Sequence, residues 1–270
     1  MGYTRIDVTP LTNVLGATVH GPDLREPLDE ETVSELRAAW HEHKVLFLPG
    51  QAIDRDLHKR FASYFGDVFR HPYLKDVASD PDIVTLYSGG ETGSRYVASG
   101  WHTDVTFVEQ PPMGSIIHAV NVPAYGGDTM WIDLEAAFNG LSPTMQEFVS
   151  TLRATHGAPR AAFIPGDTSG EFIRSSHPVV RTHPVTGRRC LFVNPGFTRK
   201  IDDVTPAEST ALLTFLHAHC QQPEYQVRYH WTADTIGIWD NRCTQHRVVA
   251  DNLDALRKME RITLFGETPT

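Results

Sequence analysis

Three short segments hold the residue types that could do chemistry together. The first is Trp101-His102-Thr103-Asp104-Val105-Thr106-Phe107. In an extended chain residues i and i+2 face the same way, so His102 and Asp104 would present an imidazole and a carboxylate side by side. That is two-thirds of the two-histidine, one-carboxylate face that leaves open positions on a divalent iron. About one His-x-Asp is expected by chance in a chain of this composition, so the pair needs a third partner. The second segment, Ile238-Trp239-Asp240-Asn241-Arg242-Cys243-Thr244-Gln245-His246-Arg247, offers one in His246. It follows an apolar strand that ends in a polar turn, a place that suits a ligand at a barrel mouth; a satisfied structural histidine would look the same. The third is Arg257-Lys258-Met259-Glu260-Arg261-Ile262-Thr263-Leu264-Phe265. Arg257 and Arg261 would leave one strand on the same face. Inward guanidinium groups are costly unless each meets an anion, and the planar fork of arginine matches a carboxylate. Two such arginines near a metal imply an acidic cosubstrate and an acidic substrate; a solvated edge strand of alternating charge is the plain alternative.

The elements that must carry these residues are mostly short strands. Apolar and β-branched runs predict strands over 44–48, 83–87, 106–107, 115–122, 129–133, 179–182, 190–194, 225–231, 235–239 and 261–265. Turns such as Pro123-Ala124-Tyr125-Gly126-Gly127-Asp128 separate many of them. Strands at this density without regular β-α alternation predict an antiparallel sandwich or jelly roll with helices on an outer face. Three helices are readable. Asp29-Glu30-Glu31 opens a segment with Val33, Leu36, Ala39 and Trp40 at helical spacing, and Leu57, Phe61, Tyr64 and Phe65 mark a second. Thr205-Pro206-Ala207-Glu208 combines an N-cap, a first-turn proline and a capping-box glutamate before Leu212, Leu213, Phe215 and Leu216. The stretch 157–176 lacks clean periodicity and reads as an active-site lid or an ordinary surface loop.

Composition narrows the partners. The chain has 270 residues, 24 basic against 33 acidic, and 14 histidines. An acidic chain without a dense Lys/Arg run lacks the basic footprint of a nucleic-acid binder. The longest apolar runs, such as Val45-Leu46-Phe47-Leu48, are too short to span a bilayer, and the N-terminus has no secretory pattern. No membrane association and a cytoplasmic location are expected. Cys190, Cys220 and Cys243 are too far apart for a C-x-x-C zinc site, and Cys243 reads as a buried inert thiol. His41, His43, His217 and His219 lie on predicted helices and are not expected to be catalytic.

Together and in this order, these segments resemble the taurine/α-ketoglutarate dioxygenase family, the TauD/TfdA group. The similarity runs from the turn between Pro10-Leu11 and Gly16-Ala17 through the Trp101 block and Gly126-Gly127-Asp128-Thr129. It continues through His177-Pro178-Val179-Val180-Arg181-Thr182-His183-Pro184 and Leu191-Phe192-Val193-Asn194 to the closing arginines. The resemblance implies one double-stranded β-helix domain (a mainly β, cupin-like jelly roll with flanking helices) over 1–270. It implies Fe(II) on His102, Asp104 and His246, and the distal carboxylate of 2-oxoglutarate on Arg257 and Thr129. Arg261 matches the arginine that binds the sulfonate in the taurine enzyme, and His71 and Phe197 fall near its pocket positions. The implied reaction consumes O2 and 2-oxoglutarate, yields succinate and CO2, and hydroxylates a C–H bond of a small anionic substrate. A taurine-like sulfonate, with sulfite release, is the first expectation. The carboxylate at Asp104 favours hydroxylation, since a related halogenase keeps that position free for chloride. The family often forms homodimers or homotetramers.

One departure concerns the substrate. Ala98, within Ser94-Arg95-Tyr96-Val97-Ala98-Ser99-Gly100, stands where the taurine enzyme has an asparagine, and the interval from His71 to His102 differs by a small insertion. Alkyl sulfates, phosphonates, aryloxyalkanoates and other carboxylates therefore stand beside taurine. Two rivals come from other classes. A zinc hydrolase could use the same three ligands with water in the fourth position, and a non-catalytic cupin-like binding protein would explain the strands. The binding protein would not explain the paired arginines, and oxygen uptake coupled to 2-oxoglutarate separates both rivals from a dioxygenase.

Overall fold

The computed structural model describes residues 2–74, 80–89, 99–252 and 254–270. Its strands, in chain order, are β1 (Asp7–Pro10), β2 (Ala17–His20), β3 (Val45–Leu48), β4 (Val84–Ser88), β5 (Gly114–Asn121), β6 (Thr129–Asp133), β7 (Arg153–Pro159) and β8 (Phe172–Pro178). They continue with β9 (Val180–Thr182), β10 (Arg189–Leu191), β11 (Thr198–Ile201), β12 (Gln226–Tyr229), β13 (Ile236–Asp240), β14 (Thr244–Val248) and β15 (Arg257–Leu264). The helices are α1 (Glu30–His43), α2 (Arg55–Ser63), α3 (Leu134–Asn139), α4 (Pro143–Ser150) and α5 (Pro206–Cys220).

A seven-stranded sheet in the order β1-β2-β3-β13-β5-β15-β4 faces the smaller sheet β12-β6-β14. The pairing between strands far apart in sequence is that of a jelly roll. An aromatic core lies between the sheets: Phe47 and Ile117 on the large sheet meet Trp131 on β6 and Val227 on β12. Phe47 and Tyr229 stack with centroids 3.6 Å apart. A second apolar cluster packs Trp40, Phe61 and Phe65 of the helical region against the outer face, through Ile116, Ile238 and Ile262.

The three predicted helices form, and each has a side-chain cap at its start. The Asp29 carboxylate accepts from the Thr32 amide at 2.7 Å and Asp54 from Leu57 at 2.9 Å. At α5 the capping box is complete: Glu208 Oε2 accepts from the Thr205 amide at 2.8 Å while Thr205 Oγ1 accepts from the Glu208 amide. Thr205→Ala is expected to lower stability by about 1 kcal/mol, read as an earlier urea midpoint with unchanged slope.

Several expectations need correction. Residues 106–107 form a turn and not a strand, and β15 begins four residues before the predicted 261–265. The stretch 157–176 is regular only at its two ends, which hold the end of β7, a 3-10 turn at Arg160–Ala162 and most of β8; residues 163–171 between them form an irregular loop. Its pattern was obscured because β8 alternates between exposed and half-buried positions, most of them polar, on an edge of the small β11-β7-β8 sheet. Helices α3 and α4 were not predicted, being too short to show periodicity, although Ser142-Pro143 at the start of α4 is a legible cap.

Candidate active site

His246 lies within β14, not in the turn before it. Its backbone is bonded directly to that of His102: the His102 amide donates to the His246 carbonyl at 3.0 Å, and the His246 amide returns the bond at 2.8 Å. The rings are 4.2 Å apart. One residue on, the Thr103 hydroxyl donates to the Thr244 carbonyl at 2.7 Å. The chain then leaves the strand direction. Asp104 opens a turn in which Val105 has φ 51°. A β-branched residue there is a genuine outlier, costing roughly 1–3 kcal/mol. The carboxylate therefore reaches the histidines through a turn and not by strand alternation. Asp104 Oδ1 is 3.9 Å from both His102 Nε2 and His246 Nε2.

These ligand atoms all lie within 4.8 Å of one another on three buried residues. The surroundings fit a metal. His102 Nδ1 is 2.9 Å from the Gly100 carbonyl, so it carries the proton and the Nε2 lone pair faces the cluster. Asp104 Oδ2 accepts from Ser115 Oγ at 2.9 Å and lies 3.5 Å from Asn241 Nδ2. Burial pushes His102 and His246 down, keeping their rings neutral. Burial alone would raise the Asp104 carboxyl, but the Arg261 guanidinium, with the Ser115 hydroxyl, outweighs it and holds it well below the usual carboxylate range. Two neutral imidazoles and one carboxylate form the donor set a divalent iron prefers.

The cluster opens into a cavity of ≈ 390 Å³ between the two main sheets. β15 sends both Arg257 and Arg261 into it, because its register against β4 is regular over this span. Arg257 is buried and its Nε has no hydrogen-bond partner among the described residues. Gly127, at φ 69°, covers its stem so closely that a Cβ there would lie 3.1 Å from Arg257 Cδ. Burial lowers the guanidinium to about 10, with Asp128 pulling partly the other way. Asp128 itself is taken by Arg228 Nε at 2.6 Å and His230 Nδ1 at 2.8 Å. Thr129 also lines the cavity, and its hydroxyl accepts from the Trp231 indole N–H at 2.9 Å, leaving its own proton free to donate. A buried guanidinium whose Nε lacks a partner among the described residues, lining the same cavity as a free hydroxyl donor, suits a carboxylate.

Arg261 is not waiting for an external anion alone. Its Nη1 donates to Asp104 Oδ1 at 2.8 Å, while Nε has no partner among the described residues. His71 and Phe197 both line the cavity. The Phe197 ring centroid is 6.2 Å from that of His102, and Gly196 fits against His102 with no room for a Cβ, which would come within 2.8 Å of His102 Cβ. Ala98 lies outside the described residues. Ser115, Asn241 and Trp231 escaped sequence reasoning, whereas Phe163 and Pro165, which line the cavity, fall within the 157–176 stretch read as a lid or surface loop. Asn241 alone had a signal, since it sits in the Trp239-Asp240-Asn241-Arg242 run before His246.

A second convergence, His41, His183 and Asp240, does not offer metal donors. His183 Nδ1 accepts from the Val185 and Thr186 amides, so its Nε2 carries a proton and donates to Asp240 at 3.0 Å. Arg242 already pairs both Asp240 oxygens, at 2.8 and 2.6 Å. The three cysteines are free and buried, and burial pushes the Cys243 thiol up, in keeping with an inert role.

A jelly roll with a buried two-histidine, one-carboxylate cluster and an arginine in the same cavity defines a non-haem Fe(II), 2-oxoglutarate-dependent dioxygenase. The chain belongs to the taurine catabolism dioxygenase TauD, TfdA family, whose model matches residues 7–263. It is 36% identical over 278 residues to an alpha-ketoglutarate-dependent sulfate ester dioxygenase of Pseudomonas putida, covering 98% of this chain and 91% of that protein. Among solved structures, a taurine dioxygenase from Burkholderia xenovorans superposes with a TM-score of 0.87 at 37% identity, over 99% of this chain and 91% of the other. AAD-2 in complex with Mn(II) and N-oxalylglycine gives a TM-score of 0.89 at 26% identity, over 99% and 100%. The zinc-hydrolase and binding-protein alternatives give way to this assignment. No helix among the described residues is long and apolar enough to cross a membrane.

Proposed function

We propose that the enzyme hydroxylates the carbon next to a sulfate ester or sulfonate group carried on an apolar chain. In this reading His102, Asp104 and His246 hold Fe(II), Arg257 and Thr129 receive the distal carboxylate of 2-oxoglutarate, Arg261 and His71 hold the substrate anion, and Phe197 is part of the wall. The observation that carries it is the uneven polarity of the cavity. Arg261 and His71 mark one polar point, whereas Leu74, Ile83, Val105, Phe163, Pro165 and Phe197 supply apolar walls. His71 Nδ1 accepts from the Tyr73 amide at 3.2 Å, so the neutral ring carries its proton on Nε2, a donor for an anion. Burial, with Arg261 nearby, pushes His71 down to about 4, so it stays neutral at ordinary pH. Taurine fits less well than an uncharged tail. Its ammonium calls for a carboxylate, and Asp104 is the only acidic residue among the described lining residues. The sulfate ester relative from Pseudomonas putida supports the same choice.

When bound, Fe(II) and 2-oxoglutarate supply the oxidation, in which one atom of O2 ends in succinate as CO2 leaves and the other enters the substrate C–H bond. The protein's own residues do the placing. Arg261 binds both Asp104 and the anion, which brings the adjacent carbon next to the ligand cluster. The aromatic wall excludes water from that carbon. A hydroxyl on the carbon bearing a sulfate ester yields a hemiacetal ester that breaks into an aldehyde and hydrogen sulfate; the corresponding sulfonate yields an aldehyde and hydrogen sulfite.

A panel of linear alkyl sulfates, taurine and phenoxyacetate, followed by succinate and aldehyde formation, tests the assignment. Each added methylene is expected to raise kcat/KM about fourfold until the cavity is filled, from roughly 0.8 kcal/mol per buried CH₂. Arg261→Met should remove this preference while succinate formation without substrate continues. Turnover of taurine above that of hexyl sulfate would overturn the proposal.

A further inference from the structure

Val105 holds a conformation that persists only when its surroundings over-determine it. Those surroundings are specific. Thr106, the next residue, has no exposed surface. Its hydroxyl lies 2.9 Å from His156 Nδ1 and 3.2 Å from Asn194 Nδ2. Its carbonyl is 2.9 Å from His177 Nε2, and the Val108 carbonyl is 3.0 Å from the same nitrogen. Carbonyls only accept, so His177 carries its proton on Nε2 and spans both ends of the turn. Asn194 Oδ1 accepts from the Phe197 amide at 2.8 Å, which directs its NH₂ to the Thr106 oxygen. The Thr106 hydroxyl proton is then left to point at His156 Nδ1. Burial keeps both imidazoles neutral, His177 at about 4 and His156 at about 3.

The same layer backs the other ligand arm. The Gly196 amide, in the loop that Asn194 begins, donates to the Trp101 carbonyl at 3.1 Å, next to His102. His156 and His177 are on β7 and β8, and none of this cluster lines the cavity.

We propose that His177, His156 and Asn194 are positioning residues that aim the Asp104 carboxylate by clamping Thr106 and Val108, so that metal affinity is set partly by side chains that never touch the ion. The clamp rests on the assignment of His102, Asp104 and His246 as the metal ligands. It differs from ordinary core packing in what it controls: loss of the clamp should misdirect one ligand in a protein that still folds.

The test is Co(II) titration of the full chain, read from the visible bands of the bound ion, with folding checked by circular dichroism. His177→Phe keeps a planar aromatic ring and removes the donor, and His177→Gln keeps a donor. The phenylalanine variant is expected to bind Co(II) about 10–100-fold more weakly, the range for outer partners of metal ligands. The glutamine variant should recover most of that loss. Thr106→Val should weaken binding in the same way and Thr106→Ser should not; this pair decides the matter if His177→Phe does not fold. Parent-like Co(II) affinity in a folded His177→Phe or Thr106→Val protein would overturn the clamp while leaving the ligand assignment standing. A parent protein that fails to bind Co(II) would overturn both.

Discussion

His102→Ala is expected to abolish the visible metal-to-ligand charge-transfer band that the parent protein should give with Fe(II) and 2-oxoglutarate under anaerobic conditions, and succinate formation with it. The substitution leaves two donors, His246 Nε2 and Asp104 Oδ1, 3.9 Å apart. Asp104 would then have Arg261, at 2.8 Å, as its nearest cation, so the site would relax toward an internal ion pair. The loss should exceed the roughly 10–100-fold carried by residues behind a ligand, because a direct bond is removed. The fold should survive, since His102 is tied to His246 through backbone atoms that alanine retains. A persistent band in the alanine variant, or none in a folded parent, would count against the metal assignment.

Arg257→Met is expected to raise the KM for 2-oxoglutarate by about 30- to several thousand-fold. That corresponds to the ~2–5 kcal/mol lost when one partner of a buried charged pair is truncated. Arg257→Lys should fall between, because an ammonium keeps the charge but loses the two-pronged fork. A second effect has the opposite sign. Arg257 is buried with its Nε unpaired among the described residues, and its folded pKa of about 10 lies below its ordinary value. For a base, a depressed folded pKa means that burying the charged form costs stability at every pH below about 10, and that this cost fades as pH rises further. Near neutral pH, without 2-oxoglutarate, the methionine variant should therefore melt higher than the parent. Adding 2-oxoglutarate to the metal-loaded proteins should then raise the melting temperature of the parent and leave that of the variant nearly unchanged. A parent-like KM in the variant would remove Arg257 from the cosubstrate site.

The contrast between β15 and β14 explains how much could be read in advance. The shared face of Arg257 and Arg261 follows from the period of two in any extended chain, a local property. β14 could not be recognised that way, because Thr244, Gln245 and His246 are all buried despite being polar. Their burial is made tolerable by bonds to distant or irregular backbone: Gln245 Nε2 donates to the Val193 carbonyl and Thr244 Oγ1 to the Asp240 carbonyl, both at 2.7 Å. Hydrophobic periodicity carries no trace of such compensation. For the same reason the sequence assigns no role to His156, and none to His177 beyond its place in one of the family-like blocks.

The sequence by itself determined the residue inventory, the acidic start of α1, the capping box of α5, the strand-rich class and, through the order of its motifs, the family. These are local signals, written within a few residues of where they act. Only the tertiary structure decided how His102, Asp104 and His246 come together. His102 meets His246 through a backbone bridge, Thr103 reaches across 141 positions to Thr244, and Arg261 reaches across 157 to Asp104. The turn at Val105 supplies the direction that strand alternation was expected to provide. Such contacts exist only once the sheets close on one another, because a strained turn and a buried charge are stable only when the rest of the fold holds them there.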